Sequence, residues 1–243
     1  MAAINNDIFN KNFELLKERD ASYKEVSEIP VSSRCAEILA QREHVLLGIS
    51  ACVGYYTIEN IVSLLKWAMN NFKSYSVLLS GKKPLCANFE ALGKKRSGYK
   101  ASQYANNIFN KVKKSFALID QGIDITKKIV IIENFLEDKK YLEVYNSVIE
   151  KYHNDILFKK NCREATEMVL KGNSSFVTEL MIDTAVNYLL WELPFYVNSP
   201  KILSVSSSLI VYHKNIKFFT NLYKKREENF ISNNQGHVII DVS

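Results

Sequence analysis

The chain has 243 residues, 47% hydrophobic and 24% charged, with 8 Gly and 4 Pro. That composition excludes a disordered or fibrous protein, and no linker divides it, so one domain over residues 1–243 is expected. No stretch reaches ~18 uncharged apolar residues, and residues 1–11 carry no apolar run of the signal-peptide kind, so the expected setting is the cytoplasm. The net charge of +6 is unevenly spread: residues 82–114 hold nine basic residues against one acid, Glu90, leaving the rest of the chain slightly negative. Such a segment suits a polyanionic partner.

In chain order, residues 5–19 read as a short helix or arm, within an N-terminal arm spanning 1–30. Residues 44–50 form a short apolar run ending at small residues, the pattern of a buried strand. A turn at 51–56 leads to a helix over 57–72, with Thr57 as N-cap and Asn60 three residues on. Residues 74–79 are a second strand and 80–84 a loop. A helix from Ser97 or Gly98 to about Ile119 has Tyr104, Ile108, Val112, Phe116 and Ile119 on its apolar side. A third strand is expected at 129–132, helices at about 137–151, 156–171 and 175–192, a late strand at 208–212, a helix at 216–229, and a tail over 231–243. Short apolar strands alternating with helices predict an α/β fold with a largely parallel sheet, in which ligands bind beyond the carboxyl ends of the strands.

Ser50 falls at such an end, directly after Gly48-Ile49. There it can serve as a nucleophile, with the following loop and helix offering N–H groups to an oxyanion and Gly48 letting substrate pass close to the backbone. It also reads as a turn serine satisfying a helix end. The hydrolase elbow Gly-x-Ser-x-Gly is absent, because Cys52 holds its last place, and no Asp–His pair accompanies the serine. Tyr188 and Glu192 stand one helical turn apart among apolar neighbours, where a carboxylate is costly unless it meets a cation such as an α-ammonium group. An ordinary helix-end glutamate facing water is the plainer alternative. Tyr212, at the end of the late strand, can relay a proton, and His213 can do the same or cap a helix. Lys100, Gln103, Asn107, Lys111 and Lys114 share one face of the basic helix, which suits a phosphate backbone or simply a solvated surface. Neither glycine-rich nucleotide motif is present, and the four cysteines (Cys35, Cys52, Cys86, Cys162) form no Cys-x-x-Cys pair, so no cofactor and no metal are expected, and most of the thiols read as small core residues.

Taken together, these pieces resemble the cyclodipeptide synthases. The resemblance rests on Gly48-Ile49-Ser50 followed by Tyr55-Tyr56; Glu90-Ala91-Leu92-Gly93 running into the basic stretch; Tyr188 to Glu192 with Leu193-Pro194; and Val211-Tyr212-His213, twenty residues after Glu192. It implies a Rossmann-like fold akin to the tyrosyl- and tryptophanyl-tRNA synthetase catalytic domains, aminoacyl-tRNAs as partners, no cofactor, no membrane and a monomer. It implies that Ser50 takes the first aminoacyl group as an ester, that Tyr188 and Glu192 hold its amino group, and that Tyr212 orients the ester. Lys94, Lys95, Arg96, Lys100, Lys111, Lys113 and Lys114 would hold the tRNA acceptor arm. Gly48, Leu46, Leu78, Val53, Phe195, Ile210 and His213 would contact the aminoacyl substrate, with Leu46, Leu78, Phe195 and Ile210 lining the first side-chain pocket. The sequence departs from the family pattern at Ala51 (often Pro), Val53 (Asn in one subgroup), His213 (Pro in the other) and the exit Ser80-Gly81-Lys82-Lys83-Pro84. A non-catalytic tRNA-binding relative and a serine esterase are the alternatives.

Overall fold

A computed structural model describes residues 24–120, 122–225 and 230–242. Six strands form one sheet in the order β1-β6-β5-β2-β3-β4: β1 (Val26–Pro30), β2 (His44–Gly48), β3 (Ser74–Leu79), β4 (Ile129–Ile131), β5 (Ser208–Tyr212) and β6 (Gln235–Val242). Strands β2 to β6 pair in parallel, and only β1 runs antiparallel, against β6. The largely parallel sheet expected from the alternating pattern is what the chain forms.

Alternation along each strand sends side chains to two cores. Val45, Leu47, Val77, Leu79, Leu209 and Val211 face one side, under α1 (Ser33–Gln41), α2 (Ile58–Asn71) and α4 (Ser97–Ile119). Leu46, Leu78 and Ile210 face the other, under α5 (Lys139–Asn154), α6 (Ile156–Lys171), α7 (Glu179–Leu203) and α8 (Lys217–Lys225). Burial on both faces explains why the inner strands read as unbroken apolar runs. The cap predicted for α2 is present: Thr57 Oγ1 accepts from the Asn60 N–H at 3.2 Å.

Several expectations need correction. Residues 26–30, assigned to an arm, are edge strand β1, and the supposed tail contains β6, fully inside the sheet. The 80–84 loop is shorter, because helix α3 (Lys82–Ala91) starts within it. Gly81 adopts φ +82, and Glu133 accepts from the N–H groups of Lys82 (2.7 Å) and Lys83 (3.3 Å). Pro84 lies in the first turn, where a missing N–H costs nothing. Helix α7 begins at its Thr178 cap rather than at 175 and continues past Glu192 through Pro194 and Pro200, with a kink at Asn198. Tyr104, placed on the apolar side of α4, is 41% exposed and leans on Phe89. The 5–19 helix and residues 226–229 of the last one lie outside the described residues.

Candidate active site

Strand β2 ends at Gly48, and the backbone beyond it is held from two sides. The Ile49 N–H donates to Leu78 O at 3.0 Å, and the buried Tyr56 hydroxyl donates to Gly48 O at 2.6 Å. Ser50 therefore leaves the sheet from a fixed peptide. A Cβ on Gly48 would lie 3.1 Å from Val211 O and 3.6 Å from the Tyr212 ring, so only glycine lets β5 approach this closely. Because Leu47 pairs with Val211, Tyr212 emerges next to Ser50, close enough for the serine hydroxyl to act on the phenol. Helix α7 presents Tyr188 and Glu192 one turn apart, with Tyr188 hydrogen-bonded to Ser80 at the end of β3.

These groups line one cavity of about 830 Å³ beyond the carboxyl ends of β2, β3 and β5. Ser50, Tyr188, Glu192 and Tyr212 meet there, and Gly48, Val53, Leu78 and His213 line it with them. Leu46, Phe195 and Ile210 do not. Each is wholly inaccessible (0%) in the core behind the site, and the Phe195 ring packs on Phe135 and Tyr141. Leu46 and Ile210 pair with each other inside the sheet, and Phe195 faces the core from α7.

Burial sets the electrostatics. It pushes the Glu192 carboxyl up to about 7. Burial, reinforced by the Glu192 charge, holds the Tyr188 and Tyr212 phenols well above their usual value, and the Ser50 hydrogen bond partly offsets this for Tyr212. Both phenols are proton donors at neutral pH, while Glu192 exchanges its proton readily. His213 is pushed below its usual value by burial and then by the Lys214 charge, so its ring is neutral.

Tyr56 and Ser80 were not singled out from sequence. Tyr56 was visible only as one of two aromatics. Its single proton goes to Gly48 O, so His213 Nδ1–H, 3.1 Å away, donates to the Tyr56 oxygen. His213 also stacks on Tyr55 (4.4 Å), whose hydroxyl accepts from the Val242 N–H at 2.9 Å. The ends of β2, β5 and β6 are thereby tied around the turn that carries Ser50. A serine esterase needs a His or acid hydrogen-bonded to Ser50. Among the described residues no hydrogen bond joins Ser50 to a His or an acid, and His213 Nδ1 is engaged by Tyr56.

Lys94, Lys95, Arg96, Lys111, Lys113 and Lys114 are exposed and Lys100 is partly so. None forms an ion pair among the described residues. Lys111 Nζ donates to Tyr56 O at 3.3 Å, which joins the basic helix to the turn that carries Ser50. Among the described residues no cluster of His, Cys, Asp or Glu is placed to hold a metal, and no helix is long and apolar enough to cross a membrane. Cys35 and Cys162 are buried, whereas Cys52 is exposed at the cavity and Cys86 is half-buried, so only two of the four thiols are core residues.

A Rossmann-like sheet that brings a serine, a half-buried carboxylate and two phenols to one cavity, with no nucleotide-binding motif, holds the residue types that suit acyl transfer. The cyclodipeptide synthase family model matches residues 27–242, and the chain belongs to this family, whose members are aminoacyltransferases. The chain is 30% identical over 218 residues to the cyclo(L-leucyl-L-leucyl) synthase of Bacillus subtilis, covering 86% of this chain and 87% of that one. It is 25% identical over 221 residues to the enzyme of the same name from Staphylococcus haemolyticus, covering 86% and 92%. A crystal structure of a cyclodipeptide synthase from Bacillus thermoamylovorans superposes with a TM-score of 0.79 at 28% identity, over 90% of this chain and 96% of that one. A Mycobacterium tuberculosis structure, described as showing that cyclodipeptide synthetases are related to type I tRNA synthetases, shares the fold with a TM-score of 0.80 at 20% identity, over 92% and 96%.

Proposed function

We propose that the chain builds a cyclic dipeptide from two aminoacyl-tRNAs through esters on Ser50. The convergence of Ser50, Tyr188, Glu192 and Tyr212 on one cavity carries this reading. Ser50 Oγ attacks the aminoacyl carbonyl; a new C–O bond forms as the bond to the tRNA ribose oxygen breaks, and Tyr212 relays the proton, giving its own to that leaving oxygen and taking up the one released by Ser50. A nucleotide ester is already activated, so no strong base needs to sit beside Ser50. Glu192 and Tyr188 hold the α-ammonium group, and a carboxyl poised near neutrality takes up its proton to free the amine. That amine attacks the ester carbonyl of the second aminoacyl-tRNA; a peptide bond forms as the bond to the ribose oxygen breaks, and the tRNA leaves with the proton that the amine gives up. The new terminal amine then attacks the Ser50 ester, which closes the diketopiperazine and returns the hydroxyl.

The exposed cations from Lys94 to Lys114 would carry the acceptor arm of the first tRNA. Val53, Leu78 and Leu85 give the wall near Ser50 an aliphatic character, which suits an apolar first residue. The chain would act as a monomer in the cytoplasm, without cofactor. Expression in bacteria followed by mass spectrometry of the medium should reveal a diketopiperazine that disappears in Ser50→Ala. Undiminished product from that variant removes Ser50 from the mechanism. Salt-sensitive tRNA binding with no Ser50 adduct identifies a non-catalytic relative instead.

A further inference from the structure

The reaction proposed above, on which this inference rests, consumes two polyanions, and α4 offers a cationic surface on one flank of the site. A second such surface lies on the other. Residues 214–225 contain Lys214, Lys217, Lys224 and Lys225 and no acid. Lys214, Lys217 and Lys225 are exposed, line the cavity, and form no ion pair or hydrogen bond among the described residues. Asn215 and Asn221 lie among them on the same wall. The one acid on the facing helix that borders the cavity, Glu164, is near the Lys160 ammonium at 3.8 Å.

The scaffold under these lysines is firm. Phe219 stacks on Tyr196 at 3.8 Å, and the Tyr223 hydroxyl donates to Tyr196 O, so the buried face of α8 is fixed to α7. Phe219 and Tyr223 belong to one core, while Ile108, Val112 and Phe116 of α4 belong to the other. The two cationic surfaces thus rest on opposite faces of the sheet, with the cavity at its carboxyl edge between them. A strand end with its reactive ester at Ser50 can be approached from either flank. Exposed lysines at the mouth, with no acidic partner among the described residues, would take phosphates at little desolvation cost.

We propose that Lys214, Lys217 and Lys225 form the docking surface for the terminal phosphodiesters of the second aminoacyl-tRNA, while the α4 surface serves the first. Each tRNA would then have its own flank, and the second could arrive without crossing the first site.

The test separates the two half-reactions on the full-length chain. Ser50 is loaded from one radiolabelled aminoacyl-tRNA, excess is removed, and a second aminoacyl-tRNA is added as a chase. In Lys214→Gln/Lys217→Gln/Lys225→Gln, loading should stay within about twofold of the parent while the chase slows by about tenfold or more at physiological salt. The slope of log rate against log salt should fall by about 2–3 for the chase and stay unchanged for loading. The corresponding triple arginine variant should keep the parent chase rate. If the glutamine triple does not fold, each single substitution should still lower the chase slope by about 1. An unchanged chase, or equal slowing of both steps, overturns the assignment. A parent protein that never loads Ser50 refutes the underlying synthase reading instead.

Discussion

Glu192 offers a stability measurement that needs no substrate. Its carboxyl is raised from the usual 4.5 to about 7 by burial alone. That rise corresponds to about 3 kcal/mol of differential interaction between the two protonation states. Between these values the folded chain keeps a proton that the unfolded chain has lost. Stability therefore falls as pH climbs from about 4.5 through about 7 and levels off above, with the full penalty present at pH 8. Replacing Glu192 by Gln removes the titration and keeps the shape. Urea denaturation should show Glu192→Gln more stable than the parent by about 3 kcal/mol at pH 8, with the gap closing to within about 1 kcal/mol near pH 5. A gap independent of pH, or a variant less stable at pH 8, would show that a cation inside the fold already neutralises the carboxylate, and the ammonium-binding role would lose its physical basis.

Tyr56→Phe strands a buried carbonyl at Gly48 and the His213 N–H, so it should cost about 1–3 kcal/mol in urea denaturation and slow acylation of Ser50 in a single-turnover assay. Gly48→Ala places a Cβ 3.1 Å from Val211 O, and pushing β5 away should cost about 1–3 kcal/mol and displace Tyr212, seen as loss of the Ser50 adduct. Phe195→Ala should lower stability by about 3–5 kcal/mol yet leave the identity of the loaded amino acid unchanged; an altered product in mass spectrometry would put Phe195 back in the pocket wall.

The inner sheet was legible because β2, β3 and β5 are buried on both faces and write continuous apolar runs, and α2 announces itself with Thr57. Strand β6 was not, since Gln235, Gly236 and His237 read as loop residues. Their partners are distant: Gln235 Oε1 accepts from the Ser199 N–H at 2.8 Å, and His237 Nδ1 meets Ile210 O at 3.0 Å. Strand β1 has a partly exposed, alternating pattern that only the presence of β6 turns into a strand. The helix expected to end at 192 does not stop there: burial of the segment from Leu193 to Val197 carries α7 onward through Pro194 and Pro200. Within the site, Ser50, Tyr188, Glu192 and Tyr212 could be nominated from sequence because strand ends and helical spacing are local properties, and the fold brings the four to one cavity. Leu46 and Ile210 were misplaced because sequence gives the face of the sheet a residue occupies but not its depth below the carboxyl edge. The Tyr56–His213 link joins segments far apart in sequence, so no local signal could have revealed it.

Strand β1 has a single neighbour in the sheet, and that neighbour is β6. During synthesis on the ribosome, one of the earliest described segments must wait, unpaired, until one of the last has been translated. The final closure of the sheet is thus a contact of very large sequence separation, the kind that forms late and slowly. Since Val242 also anchors Tyr55, a nascent chain cannot complete the turn that carries Ser50 before that last rung is in place.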